Sequence, residues 1–62
     1  MPIIHVHMLE GRSQDLKKKL VANMTDAVVK SLDVKPDAVR IILHDMAKSN
    51  YSVAGVLQSE KK

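Results

Sequence analysis

Two arginines stand among eight lysines in this chain, and their positions, Arg12 and Arg40, are the first places where residue type points to chemistry. A guanidinium is a rigid fork that grips a carboxylate through two parallel hydrogen bonds, whereas an ammonium is a mobile point charge. Two isolated forks near strand positions suit the binding of a dicarboxylate or the stabilisation of an enolate. The plain alternative for each is a structural ion pair or a surface charge. Pro2, directly after Met1, is the third candidate. Removal of an initiator Met is favoured when the next residue is small, and the product here is a secondary amine. An α-amino group titrates a little above neutral, and apolar burial or nearby cations lower it into the range of a working general base. The plain alternative for Met1-Pro2 is an ordinary extended chain start.

His5 and His7 are two apart on one strand face, a spacing that lets two imidazoles share a metal. No third ligand is evident, since His44 is far off in sequence and no Asp or Glu partner can be assigned. Satisfied or partly exposed histidines are the better reading, and no metal or other cofactor is expected. No serine sits in a nucleophile elbow and no glycine-rich phosphate loop is present. Tyr51, the one aromatic residue, suits a core position, a substrate wall or a phenol donor.

Strands and a helix are needed to position these groups. Residues 2–9 alternate, with Ile4, Val6 and Met8 pointing one way and Ile3, His5 and His7 the other, which is strand periodicity. Pro2 is tolerated there because the first residue of a strand need not donate a ladder bond. After Glu10-Gly11-Arg12, Ser13 is a good helix N-cap, and Asp15 in the first turn suits the helix dipole. Leu16 takes the position from which Glu or Gln would complete a capping box. From Gln14 to about Leu32 the apolar residues Leu16, Leu20, Val21, Met24, Ala27, Val28 and Leu32 form one stripe of a two-faced helix. Lys17, Lys18, Lys19, Asn23 and Lys30 mostly cover the other side. Asp33, Lys35, Pro36 and Asp37 end the helix.

A second strand is expected from Ala38 to about Met46, with Val39, Ile41 and Leu43 on one face and Arg40, Ile42 and His44 on the other. The tail from Lys48 to Gly55 reads as a loop or a small hairpin. Two strands joined through a long helix make a βαβ unit, so the strands should be parallel and the crossover right-handed. The fold class is therefore α/β, one domain spanning residues 1–62.

One helix covers one face of a two-stranded sheet, which leaves Ile3 and Ile42 facing water unless another chain covers them. A chain of 62 residues without cysteine has little else to stabilise it. Self-association is thus expected on physical grounds alone. The formal charge of +3 raises the question of an anionic partner. A single aromatic leaves no stacking platform for nucleic acid, whereas a small carboxylate benefits from a positive field. No apolar run approaches the roughly 18 residues a membrane span needs, and residues 1–9 carry no basic leader. Cytoplasmic residence is the expectation.

Taken together, Pro2 after Met1, Leu9-Glu10-Gly11-Arg12-Ser13, Ser31-Leu32-Asp33, Val39-Arg40, and Met46-Ala47-Lys48 ahead of Tyr51 and Gly55 resemble the 4-oxalocrotonate tautomerase family over essentially the whole chain. The resemblance implies a βαβ chain assembled into a homohexamer, a trimer of dimers whose sheets join across subunits. It implies an isomerase in which Pro2, as mature N-terminus, carries a proton between two carbons of a 2-hydroxymuconate-like dienol acid or its keto isomer. Arg12 would bind the distal carboxylate. Arg40, from a neighbouring chain, would hold the 2-hydroxy or keto oxygen and a carboxylate oxygen. Leu9 and Tyr51 match the pocket's apolar and aromatic walls, although the family's usual wall is Phe. Two other readings are a non-catalytic ligand-binding oligomer that keeps Met1, and a haloacrylate hydratase. The latter needs a carboxylate to activate water, and no acid lies between Lys48 and Ser59.

Overall fold

A computed structural model describes residues 2–61 of the chain. Strand β1 (Ile3–Leu9) leads into helix α1 (Gln14–Leu32), which returns through a 3₁₀ turn at Pro36–Ala38 to strand β2 (Arg40–Met46). The two strands are parallel and run in register from Ile3↔Arg40 to Leu9↔Met46. Backbone bonds from Arg40 N–H to Pro2 C=O (3.1 Å) and from Glu10 N–H to Met46 C=O (2.9 Å) bracket the ladder at its ends. The expected βαβ unit is present.

Local chemistry explains the boundaries. The Ser13 hydroxyl accepts from the Leu16 N–H (3.3 Å) and satisfies one of the helix's first free donors. Gly11, at φ +117°, makes the sharp turn from β1 toward the helix in a region that other residues rarely adopt. At the far end Asp33 adopts the left-handed conformation (φ 55°, ψ 50°) and its N–H closes on Val29 C=O, a short-polar-residue version of the usual glycine cap. Strand β2 begins at Arg40, two residues later than expected, because Pro36-Asp37-Ala38 close a 3₁₀ turn whose last bond runs from Val39 N–H to Pro36 C=O. Ala38 and Val39 precede the strand instead of belonging to it.

The helix packs on Ile4, Val6 and Met8 of β1 and on Ile41 and Leu43 of β2, and all five are half-buried. Its facing stripe is Lys17, Leu20, Val21, Met24, Thr25, Val28 and Val29. This is rotated from the stripe expected from hydrophobicity, for Leu16 and Leu32 are 55% and 59% exposed and Ala27 is exposed as well. Leu16 and Ala27 fall at the margin of the stripe, and Leu32 is the helix's last residue. Lys17, expected on the solvated side, lies on the sheet side, where its Nζ pairs with Asp45 Oδ2 on β2. The opposite-sign partner two elements away overrides the usual outward preference of a lysine.

From Lys48 the chain forms a separate arm. Two 3₁₀ turns, Lys48–Asn50 and Gln58–Glu60, pack on each other and flank a hairpin of β3 (Ser52–Val53) and β4 (Val56–Leu57). Ala54 and Gly55, at φ 54° and 82°, give the turn positive φ at both central positions, as in a type I′ turn. The arm is a hairpin within a loop, as the turn residues suggested.

The described residues contain no fully buried side chain, polar or apolar. The Cα radius of gyration is 14.8 Å and the principal extents are 43 × 24 × 13 Å, against a radius of about 11 Å for a compact chain of this length. Ile3 (55%), Ile42 (44%), Val53 (50%) and Val56 (46%) remain largely in water. The helix cap offers a direct stability test. Ser13→Ala should lower the unfolding free energy by about 1 kcal/mol, measured by chemical denaturation at fixed protein concentration. Ser31→Ala, exposed in the last helical turn, should change it by far less.

Candidate functional site

Pro2 is half-buried at the entrance of β1, and its carbonyl accepts the Arg40 N–H across the first rung of the sheet. The parallel register therefore places Pro2 and Arg40 of one chain side by side, where the resemblance implies an Arg40 from a neighbouring chain, although 37 residues, β1 among them, separate the two in sequence. Arg40 lies on the sheet face turned away from the helix, because it pairs with Ile3 and alternates with the helix-facing Ile41. Met1, on whose removal the amine depends, lies outside the described residues.

Arg12 and Leu9 sit at the opposite end of β1. The Arg12 guanidinium donates from Nη1 to the Leu9 carbonyl at 3.1 Å, which anchors its stem to the end of the strand. Seven residue steps separate Pro2 from Leu9, roughly 20 Å or more of extended chain at about 3.3 Å per residue. A short diacid cannot span that distance. Within one chain the sequence-derived group thus divides into a Pro2–Arg40 end and a Leu9–Arg12 end.

Tyr51 follows the first 3₁₀ turn of the arm and is 38% exposed. Its backbone is fixed by Gln58 N–H donating to Tyr51 C=O at 2.7 Å. The arm that carries Tyr51 packs mainly on its own turns.

The histidines are placed differently from what sequence distance suggested. His7 and His44 are register partners, and His5 lies beside Ile42 on the same face. His5 Nδ1 and His44 Nε2 are 2.9 Å apart, and His7 stacks on His44 with ring centroids 4.5 Å apart and planes within 11°. Linear separation misled because a parallel crossover brings residues of two strands together at one height. The signal was available in the pattern: His5 and His7 share a face of one strand, and His44 shares a face with Arg40 on the other. The three rings form a pile, and among the described residues no group of three or more His, Cys, Asp or Glu is arranged to hold a metal.

A family model described as "Tautomerase enzyme" matches residues 2–61, with Pro2 as its first matched position. The chain belongs to the tautomerase family. A probable tautomerase of Lactiplantibacillus plantarum is 44% identical over 62 residues, covering 100% of this chain and 97% of that protein. The structure of a 4-oxalocrotonate tautomerase isozyme from Methylibium petroleiphilum superposes with a TM-score of 0.91 at 45% identity, covering 94% of this chain and 91% of that one. A heterohexameric 4-oxalocrotonate tautomerase from Chloroflexus aurantiacus superposes with a TM-score of 0.94 at 29% identity over 100% of both chains. The tautomerase matches extend over the arm as well as the βαβ unit, and no helix among the described residues is long and apolar enough to cross a membrane.

Proposed function

We propose that this tautomerase isomerises an unsaturated 2-hydroxy or 2-keto diacid of the 2-hydroxymuconate type, with the free amine of Pro2 as general base and with each site assembled from more than one copy of the chain. The observation that carries the reading is the family match beginning at Pro2, joined to the backbone bond that holds Pro2 beside Arg40 at the start of the sheet.

The chemistry follows from the groups. A free prolyl nitrogen keeps a lone pair and takes a proton from a carbon activated by the neighbouring keto group. The electrons move onto the keto oxygen, and Arg40 stabilises the resulting dienolate through its fork. The same nitrogen returns the proton to a carbon further along the conjugated chain, so the substrate gains and loses one proton and no cofactor takes part. Arg12 grips the remote carboxylate, while Leu9 and Tyr51 wall the apolar middle. The Tyr51 hydroxyl adds a polar point to that wall.

Assembly follows from distance. Pro2 and Arg12 of one chain stand a strand length apart, so the two ends of a short diacid are met by different copies. The uncovered Ile3 and Ile42 supply the surface for association, and the heterohexameric relative favours six chains. The reading here is a homohexamer acting in the cytoplasm.

Three outcomes test it. Protein freed of Met1 should isomerise 2-hydroxymuconate, whereas protein retaining Met1, verified by mass, should be slower by about a hundredfold to ten-thousandfold, because an amide nitrogen has no basic lone pair. The processed form should also lose rate as pH falls and the amine protonates. Comparable rates from both forms would remove Pro2 as the base.

Arg40→Ala should chiefly lower kcat, since its contact strengthens as charge develops on the oxygen, and Arg12→Ala should chiefly raise KM. Equal effects on both constants in both variants would reject this division of labour.

Chains carrying Pro2→Ala and chains carrying Arg12→Ala, each impaired alone at substrate concentrations well below the variant KM, should recover activity when unfolded together and refolded. Random mixing in a symmetric assembly restores about a quarter of the sites. No recovery would place Pro2 and Arg12 of each site on one chain.

A further inference from the structure

The stretch of chain that carries Arg12 has little side-chain cover of its own. Every residue from Glu10 to Leu16 is exposed, and the half-buried residues that flank it are Leu9 at the end of β1 and Lys17 in the first helical turn. Gly11 turns the chain at φ +117°, and beyond its chain neighbours no heavy atom lies within 4 Å of the place a Cβ would take. Packing within the chain therefore does not fix where Arg12 points. That task falls to hydrogen bonds and one ion pair.

Both ends of the stretch are tied to consecutive residues of β2. At the first end Glu10 N–H donates to Met46 C=O (2.9 Å), one step past the last rung of the ladder. At the second end Lys17 Nζ pairs with Asp45 Oδ2. The Lys17 backbone N–H donates to Ser13 C=O at 3.1 Å, and the Ser13 hydroxyl accepts the Leu16 N–H. The ammonium is thus joined, through one turn of helix, to the residue next to Arg12. On its other side Arg12 donates from Nη1 to Leu9 C=O. Residues 9–17 form a loop closed on β2 at both ends, with Arg12 inside it. Without the ion pair the first helical residues held against the sheet are Leu20 and Val21, and the uncovered stretch grows by nearly one turn.

We propose that Lys17, through its pair with Asp45, is a positioning residue that aims Arg12 at the remote carboxylate of the substrate. This rests on the reading of Arg12 as the grip for that carboxylate. With Nη1 engaged by Leu9, the Nε–Nη2 edge of the fork stays clear for a bidentate contact, and its direction follows the backbone at residue 12. Two parallel hydrogen bonds demand that direction closely, and a displacement of about 1 Å is enough to lose one of them. The side chains of Lys17 and Asp45 are 20% and 43% exposed. A pair so placed contributes little net stability, because solvent screens it and ordering a lysine stem costs entropy. A methionine at position 17 would cover the same part of the sheet without the tie. What the pair adds is therefore direction, since an apolar contact tolerates sliding whereas an ammonium on one carboxylate is held to a point.

The test is steady-state kinetics of the Met1-free protein on 2-hydroxymuconate and on a 2-hydroxydienoate that lacks the remote carboxylate. Lys17→Met should raise KM for the diacid by about threefold to thirtyfold, a part of what a lost charge-assisted hydrogen bond costs. Its kcat should change little, and its KM for the monoacid should stay as in the wild type. Lys17→Arg, which keeps a cation opposite Asp45, should hold the diacid KM near the wild-type value. Added to Arg12→Ala, Lys17→Met should raise KM no further, because two residues acting through one contact are not additive. Lys30→Met, which breaks the exposed Lys30–Asp26 pair of the same helix, should leave both constants in place. Should Lys17→Met fail to fold, Asp45→Asn carries the same expectations. An unchanged diacid KM, or an equal rise for both substrates or in the Arg12→Ala background, overturns the positioning role and leaves the reading of Arg12 standing. A diacid KM in Arg12→Ala equal to that of the wild type overturns both.

Discussion

No side chain among the described residues is removed from water by its own chain, and this constraint governs the rest of the molecule. One helix laid on two strands forms a layer only 13 Å thick, and such a layer has no interior. The half-buried residues between helix and sheet fix the local arrangement, with the Lys17–Asp45 pair tying the helix to the end of β2. They do not amount to a core of the size on which small domains usually rely. The open sheet face and the arm leave further apolar surface in water, at Ile3, Ile42, Val53 and Val56.

The same thinness divides the chemistry. A parallel ladder places Pro2 beside Arg40 at one end and Leu9 with Arg12 at the other. In a larger α/β protein, loops from several strands converge on one edge of the sheet. Two strands have no such convergence, and within one chain Pro2 with Arg40 stays a strand length away from Leu9 with Arg12.

Much of this was legible in the sequence because the signals were local. The Ser13 cap, the span Gln14–Leu32, the alternation of β1 and the two-strand topology all follow from period and capping, and all appear as read. What could not be read depended on contacts between elements. The rotation of the helix by a fraction of a turn, which exposes Leu16 and turns Lys17 inward, goes with the pairing of Lys17 and Asp45 on β2. The late start of β2 reflects a turn whose backbone bonds compete with the ladder. His44 meets His5 and His7 only through register, a property of the pair of strands that neither strand carries alone. For the candidate site, the family resemblance suggests the residues, and their division between the two ends of the sheet emerges only from three-dimensional placement.

Register also determines which changes of length the chain can absorb. The segment of residues 33–39 joins helix to strand through an αL residue and a 3₁₀ turn, and its count of residues sets which β2 side chains face the helix. Removing or adding one residue there would slide β2 by a single position and turn it over, because side chains alternate with a period of two. Ile41 and Leu43 would face outward, while Arg40 and His44 would be forced under the helix. The hairpin turn at Ala54-Gly55, by contrast, projects into solvent with open space around Gly55. A residue added at the hairpin tip thus meets no neighbour at Gly55, while the seven residues that return the chain to the sheet fix its register by their number.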